Sequence, residues 1–210
     1  MAQSKSDEQR QPIRKDLLLI ADMIESGTRV LDIGCGDGAL LDHLGHVKGV
    51  DGRGIELSQA GVNACVRHGL SVIQGDADTD LVDYPDLAFD YAVLSETLQA
   101  TRAPDELLRQ LVRIARHAIV SFTNFGHWRI RLSLLMNGRM PAIGPGENWY
   151  DTPNIHLCTM RDFTELCDSL DLRVERAVSL SDDGVSREIR RIGLAANLRA
   201  EQGIFLLRHN

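Results

Sequence analysis

The sequence predicts a single α/β domain built on a mostly parallel, seven-stranded sheet that helices cover on both faces. Short apolar segments alternate with amphipathic segments along the chain, which is the pattern of parallel strands joined by crossover helices. Residues 30–38 read VLDIGCGDG, an apolar strand that ends in a Gly-x-Gly loop before helix-forming residues. The length of 210 residues suits one domain of this class, which we expect to occupy residues 13–210.

The first half of the chain is expected to contain three strands. A helix over Asp16–Glu25 comes first, because its leucines and isoleucines repeat at helical spacing until Ser26-Gly27 ends the pattern. The strand Arg29–Ile33 then leads through the glycine loop into a helix that begins near Ala39. The next strands are Gly52–Leu57 and Ser71–Gln74, and Ser58 is a suitable N-cap for the helix between them.

The second half of the chain supplies the other four strands. A strand over Phe89–Leu94 and a helix over Asp105–Arg116 precede a strand over Ala118–Phe122. After a long connection come a helix over Arg161–Leu170 and a strand over Arg173–Val178. Residues 181–184 are expected to form a polar, mobile link before the last strand, Ile204–Leu207.

The long connection, residues 123–156, is expected to be functional. Connections of this length inside a compact domain are uncommon and usually carry function. Because aromatic and arginine side chains often anchor interfaces, we expect either a lid over the ligand or a surface for a protein partner. The candidate residues are Asn124, His127, Trp128, Trp149, Tyr150 and Asp151. The stripe Ile130, Leu134, Leu135 and Met136 is expected to face the core, and His156 is expected to be buried.

The composition restricts what the chain binds. A formal charge of -7 argues against a nucleic-acid binder with a broad basic face.

Residues 1–12 are expected to be a disordered polar tail without an apolar signal segment, and no apolar run is long enough to cross a bilayer. Four cysteines without C-x-x-C spacing indicate reduced thiols. His43 and His46 lack further ligands nearby, so no metal is expected. We therefore expect a cytoplasmic protein that binds neither nucleic acid nor membrane.

The glycine loop places backbone N–H groups and the positive end of a helix at one point, which suits a polar ligand. Gly34-x-Gly36-x-x-Ala39 also satisfies the dinucleotide pattern, so NAD is one alternative. Asp32 favours S-adenosylmethionine instead, because a carboxylate attracts the ammonium of its methionine part and repels a pyrophosphate.

Two further acids are expected at the ends of the next two strands. Glu56 has the separation expected of a ribose-binding acid. Asp51 is its rival, although Asp51-Gly52-Arg53-Gly54 is expected to be a turn. Asp76 is suited to the exocyclic amine of adenine. Because parallel strands end at one edge of the sheet, these acids and the glycine loop predict a Rossmann-like class I methyltransferase fold that binds S-adenosylmethionine or S-adenosylhomocysteine.

Five longer strings resemble the MetW family of methionine biosynthesis: LDIGCGDGALL, GIELSQAGVNACVRHGLSVIQGDAD, FDYAVLSETLQATRAPDELL, NFGHWRIRLSLLMNGRMP and WYDTPNIHLCTMRDF. The resemblance extends from Ile13 over nearly the whole remaining chain. It implies a methyltransferase fold that acts beside a homoserine O-acyltransferase, MetX, and supports homoserine acylation. The candidate cofactor-binding residues are Asp32, Gly34, Cys35, Gly36, Gly38, Glu56, Leu57, Asp76, Ala77 and Ser95.

Whether the chain transfers a methyl group is a separate question. Many small-molecule methyltransferases read Leu-Glu-His where this chain has Leu98-Gln99-Ala100. An acid and a potential base are thereby lost, although positioning alone can support methyl transfer. Glu96 and His127 are the catalytic candidates, each with a structural or interfacial role as its alternative. The hypotheses are an activating partner of MetX and an active small-molecule methyltransferase.

Overall fold

The computed structural model describes residues 13–140, 149–150, 152–181 and 183–210, which form one eight-stranded sheet with flanking helices. The helices are α1 (Lys15–Asp22), α2 (Ala39–Lys48), α3 (Gln59–Arg67), α4 (Pro104–Ile114), α5 (Trp128–Asn137), α6 (Met160–Ser169) and α7 (Leu194–Arg199). The strands are β1 (Arg29–Ile33), β2 (Asp51–Glu56), β3 (Ser71–Gln74), β4 (Phe89–Ser95), β5 (Ala115–Thr123), β6 (Leu172–Leu180), β7 (Ser186–Glu188) and β8 (Gln202–His209). Short 3₁₀ helices follow β3 (Asp80–Asp83) and β4 (Leu98–Ala100). Within these ranges, no helix has the length and apolarity that crossing a membrane requires.

The strand order β3-β2-β1-β4-β5-β8-β6-β7 confirms the expected α/β class. Strands β1 to β5 are parallel, while β8 lies antiparallel between β5 and β6, and β7 pairs antiparallel with β6. The chain proceeds outward from β1 to β3 and then returns to place β4 on the other side of β1. In open α/β sheets a ligand crevice opens at such a reversal, outside the carboxyl ends of the strands.

Alternation along β1 divides the core between the two faces of the sheet. Leu31 and Ile33 pack in the cluster that contains the buried leucines of α4 and Phe163 of α6. Val30 packs in the second cluster, with the apolar faces of α1 and α2. Successive strand side chains point to opposite faces, so Asp32 lies on the same face as Val30 and α1.

The sheet has one strand more than predicted, and a turn prediction was wrong. The additional strand, β7 (Ser186–Glu188), is a short edge strand whose three polar residues are exposed, so no apolar alternation marks it in the sequence. Residues 51–54 are not a turn, because they pair in register with β1. Glycine is required there for packing, since a Cβ at Gly54 would lie 2.7 Å from the Sγ of Cys35.

Two predictions for the long connection were also wrong. Helix α5 has no buried residue, so the stripe expected to face the core is mostly exposed, and Leu135 and Met136 keep 83% and 74% of their surface. His156 is exposed, and its backbone N–H donates to the carbonyl of Gln99 at 2.9 Å. Helical spacing shows which residues share a face, but it does not show whether another element covers that face.

Candidate functional site

The glycine loop folds tightly at the carboxyl end of β1. The N–H groups of Gly34 and Cys35 both donate to the carbonyl of Ile55, at 2.8 and 3.2 Å, and so hold the loop against β2. Gly34, Gly36 and Gly38 have φ angles of 73°, 57° and 82°, in the left-handed region that residues with a Cβ rarely adopt. A Cβ at Gly34 would also lie 2.5 Å from the Oγ1 of Thr97. The loop is therefore shaped by backbone geometry that only glycine adopts without strain.

The carboxylate of Glu56 joins the end of β2 to this loop. It accepts hydrogen bonds from the N–H of Gly36 at 2.9 Å and from the N–H of Ser58 at 2.8 Å. A carboxylate has about four acceptor positions, so it retains capacity for a ribose hydroxyl. Its rival Asp51 lies at the opposite end of β2, where it pairs with Arg53 at 3.6 Å. Of the two acids, only Glu56 is positioned beside the glycine loop.

Asp32 is a buried carboxylate with an unsatisfied hydrogen-bond acceptor in the part of the chain that the structure describes. Its side chain is 2% exposed, and its Oδ1 has no hydrogen bond among the described residues. Burial and, to a smaller extent, the charge of Glu56 raise the pKa of Asp32 to about 7, while the charge of Arg14 acts in the opposite direction. Buried polar atoms in native structures are nearly always satisfied, so Asp32 at the end of a central strand is a candidate acceptor for a polar ligand group.

The residues after β3 form a compact turn at the same edge of the sheet. The Oδ1 of Asp76 accepts from the N–H of Asp78 at 3.0 Å, and the N–H of Asp76 donates to the Oδ2 of Asp80 at 2.9 Å. Ala77 packs partly buried against the main core, whereas Leu57, next to Glu56, is exposed. The structure thus places Leu57 after β2, the strand beside β1, and Asp76 and Ala77 after β3, one strand further out.

The end of β4 supplies the acidic candidate for chemistry. Ser95 lies 3.3 Å from Ser121 between their hydroxyl oxygens, and Glu96 follows with φ 56°, a left-handed conformation rare for non-glycine residues. The carboxylate of Glu96 accepts from the Nε2 of Gln202 at 2.5 Å and from the Oγ1 of Thr123 at 3.5 Å. Burial raises the pKa of Glu96, and the bond from Gln202 works against that shift. Glu96 is therefore a constrained acid directly after the carboxyl end of β4.

Gln99, which replaces the acid of Leu-Glu-His, has a structural role. It is buried, and its Nε2 donates to the carbonyl of Thr123 at 3.1 Å. The backbone carbonyl of Gln99 accepts hydrogen bonds from the backbone N–H groups of Ile155 and His156 at 2.8 and 2.9 Å. An ionised glutamate would face the Thr123 carbonyl without a proton to donate, so this site suits an amide.

The candidates in the long connection separate into buried and exposed sets. Asn124 is fully buried: its Nδ2 donates to the carbonyls of Asn197 and Ala200 at 2.8 and 2.7 Å, and its Oδ1 accepts from two backbone N–H groups. His127 is buried at the start of α5. Trp128, Trp149 and Tyr150 are exposed, and Asp151 lies outside the described residues. Asn124 therefore anchors the segment, while the aromatic residues are available for contact.

Sequence reasoning missed one cation near the site. Arg14, immediately before α1, opposes the raised pKa of both Asp32 and Glu96, so its charge reaches both acids. An arginine next to a lysine after a polar segment carries no motif that would have identified it. Among the described residues there is no group of three potential metal ligands. The candidate site thus combines carboxylates at the glycine loop and at the ends of β1, β2, β3 and β4, and the charge of Arg14 acts on two of them.

Comparisons with known proteins agree with this architecture. A family model described as methionine biosynthesis protein MetW matches residues 14–207. A bifunctional methionine biosynthesis protein MetXA/MetW from Rhodopirellula baltica is 35% identical over 170 residues, which are 76% of this chain and 27% of that protein. The chain therefore spans about a quarter of the length of this relative.

Solved structures share the fold at low identity. A SAM-dependent methyltransferase from Thermotoga maritima has a TM-score of 0.68 at 15% identity, over 92% of this chain and 87% of that one. Another from Archaeoglobus fulgidus has a TM-score of 0.63 at 15% identity, over 91% and 93%. Such identities show the fold alone, and function has to be argued from the site.

Proposed function

Because the chain belongs to the MetW family of methionine biosynthesis proteins, we propose that it binds S-adenosylmethionine and acts as an activating partner of a homoserine O-acyltransferase of the MetX type. The proposed ligand and the proposed partner are each supported by a different feature of the molecule.

The main observation in favour of S-adenosylmethionine as the ligand is the buried carboxylate of Asp32, whose Oδ1 accepts no hydrogen bond from the described residues. An ammonium group is the natural partner for a buried carboxylate, and the amino-acid end of S-adenosylmethionine supplies one. The left-handed glycines leave room for close approach, and the free acceptor positions of Glu56 suit ribose hydroxyls. NAD fits less well, because the N–H of Gly36, which a pyrophosphate would need, already donates to Glu56.

The exposed surface of helix α5 supports the proposal that the chain binds a protein partner. Its apolar residues Leu132, Leu135 and Met136 share one face at helical spacing and are exposed, and exposed apolar faces of this kind mark protein interfaces. Residues 124–140 contain three arginines and no acid, although the whole chain has a formal charge of -7. The relative's name joins MetXA and MetW in one polypeptide. We therefore assign this face to an acyltransferase with an apolar, acidic-rimmed surface.

The loss of the proton acceptor also favours an accessory role. Gln99 is bound to backbone groups, so it is not available to accept a proton from a substrate. S-adenosylmethionine derives from methionine, so its binding would couple the end of the pathway to homoserine acylation through two states of the complex.

Co-purification with the MetX-type acyltransferase of the same organism tests the proposal, combined with acylation assays with and without this chain and S-adenosylmethionine. We expect a complex and a changed acylation rate. Leu135→Asp should weaken both by about tenfold or more, as expected for loss of an interface anchor. Val47→Asp, at an exposed apolar residue of α2, is the matched control and should leave both unchanged. No association and no change in rate would contradict the proposal.

Methyl transfer remains the second candidate function, because Glu96 is held at the crevice with a raised pKa that suits an acid or base. The test is release of S-adenosylhomocysteine from S-adenosylmethionine across a panel of small metabolites. Turnover that is reduced by Glu96→Gln would support this function. Absence of turnover with every metabolite, in a chain that binds the cofactor, would contradict it.

A further inference from the structure

The ligand crevice is strongly acidic, which raises the question of how it accommodates an anionic group. Asp32, Glu56 and Glu96 lie around it, and Asp16 adds a further negative charge that raises the pKa of Glu96. The amino-acid end of S-adenosylmethionine is a zwitterion, so its carboxylate would meet repulsion from these groups. A cation is needed beside Asp32 if that end is to be bound there.

Arg14 is placed to supply this cation. It is the N-cap residue of α1, on the face of the sheet that Asp32 shares. Its Nε and Nη2 donate to the carboxylate of the buried Asp16 at 3.1 and 2.7 Å, which fixes the orientation of the guanidinium. Two of its five N–H donors are used in this way, and the side chain remains 60% exposed.

Helix α1 is packed firmly enough against the sheet and α2 to hold Arg14 in position. Leu17, Ile20 and Ile24 pack against Val30 of β1 and the leucines of α2. At the other end of the helix, the Nζ of Lys48 donates to the carbonyls of Ala21 and Ile24 at 2.6 Å each. The helix is thus fixed at both ends. Its first residues lie at the carboxyl edge of the sheet, because the side chain of Lys15 approaches Gly184, which follows the end of β6.

We infer that Arg14 binds the α-carboxylate of the ligand's amino-acid end while Asp32 faces its ammonium group. The planar guanidinium has the geometry for bidentate contact with a carboxylate, and pairing it with Asp32 gives a site complementary to a zwitterion. The inference rests on the proposed function, since it assumes an S-adenosyl amino acid as ligand. It assigns specificity for the amino-acid end to a residue outside the glycine loop.

Calorimetric titration with two ligands that differ only in the carboxylate tests this inference. S-adenosylmethionine and decarboxylated S-adenosylmethionine are titrated into the unaltered chain, Arg14→Gln and Arg14→Lys. Arg14→Gln should weaken binding of the first ligand by about tenfold to a hundredfold, the range for a hydrogen bond between charged groups, and change the second by less than about twofold. The affinity of Arg14→Lys for S-adenosylmethionine should lie between those of the unaltered chain and Arg14→Gln, because lysine keeps the positive charge but loses the bidentate geometry of the guanidinium.

Arg116→Gln is the matched control. Arg116 is 67% exposed and pairs with Asp90 at 3.6 Å at the opposite edge of the sheet, so its loss should affect neither ligand. Equal effects of Arg14→Gln on both ligands, or no effect on either, would overturn the inference and leave the proposed cofactor intact. An unaltered chain that binds neither ligand would overturn the proposed cofactor and this inference together.

Discussion

The backbone N–H of Gly36 donates a 2.9 Å hydrogen bond to the Oε2 of Glu56, which joins the loop after β1 to the end of β2. The other carboxylate oxygen accepts from Ser58 at the start of α3. One side chain therefore holds together three elements of the candidate site: the glycine loop, a strand end and a helix N-terminus. Its charge also favours bonds to backbone N–H groups.

Replacing Glu56 with glutamine should loosen this junction. The amide retains one acceptor oxygen but loses the charge, so we expect the free energy of unfolding to fall by about 1 kcal/mol. Chemical denaturation measures the change. Glu165→Gln is the control, because Glu165 pairs with Arg161 on the exposed face of α6 and should contribute less than about 0.5 kcal/mol. Equal effects of the two substitutions would contradict the assigned role of Glu56.

Two glycines of the loop allow backbone strain to be separated from a steric clash. Gly34→Ala and Gly36→Ala both place a Cβ at positive φ, with an expected loss of about 1 kcal/mol each. Gly34→Ala should be the more destabilising, because its Cβ would also lie 2.5 Å from the Oγ1 of Thr97, whereas nothing lies within 4 Å at Gly36. Denaturation in a Thr97→Ala background should remove most of this difference. A difference that persists there would show that Thr97 is not its cause.

Ligand binding should depend on pH through Asp32. The pKa of this carboxyl is about 7 in the free chain, and an ammonium group binds its ionised form. Affinity for S-adenosylmethionine should therefore fall by up to about tenfold per pH unit below about pH 7. Asp32→Asn should bind more weakly and without this dependence. Calorimetry between about pH 5.5 and 7.5 tests both expectations, and a pH-independent affinity of the unaltered chain would contradict them.

The same group should make the free chain's stability depend on pH. Its folded pKa of about 7 lies above its ordinary value of 3.8, so the folded state favours the protonated form. The contribution of Asp32 to stability is full below about pH 4 and is lost as pH rises to about 7, by up to about 1.4 kcal/mol per unit. Asp32→Asn stays neutral, so its advantage over the unaltered chain should grow across this window. An advantage that is constant in denaturation experiments would contradict the shift.

The buried amide of Asn124 should be a major determinant of stability. Asn124→Ala removes four hydrogen bonds and leaves the carbonyls of Asn197 and Ala200 without their donor, so we expect a loss of about 3 kcal/mol. Asn137→Ala is the control on α5, since that side chain is exposed and makes one bond of 3.3 Å to Ser133. Its expected effect is below about 0.5 kcal/mol. Similar losses at both positions would contradict the anchoring role of Asn124.

Much of the fold follows from local patterns in the sequence. The parallel strands β1 to β5 and the helices between them follow from alternating apolar and amphipathic segments, because each element must bury one face. The glycines of the loop and the position of Asp32 are also readable, since a backbone at positive φ requires a residue without a Cβ. The short strand β7 escaped prediction because it is exposed and polar and makes only edge contacts.

The remaining features depend on which elements meet in space. The bond from Gly36 to Glu56 exists because β1 and β2 pair in register, and Arg14 reaches the site because α1 packs against α2. Leu135 is exposed although its helical spacing predicted a core-facing side chain, and the burial of Gln99 is not visible in the sequence. The sequence by itself determined the parallel strands, the helices between them and the glycine loop, because these depend on local backbone preference and periodicity. The tertiary structure decided which charges surround the ligand and which apolar face lacks a cover, because both depend on distances between residues far apart in the chain.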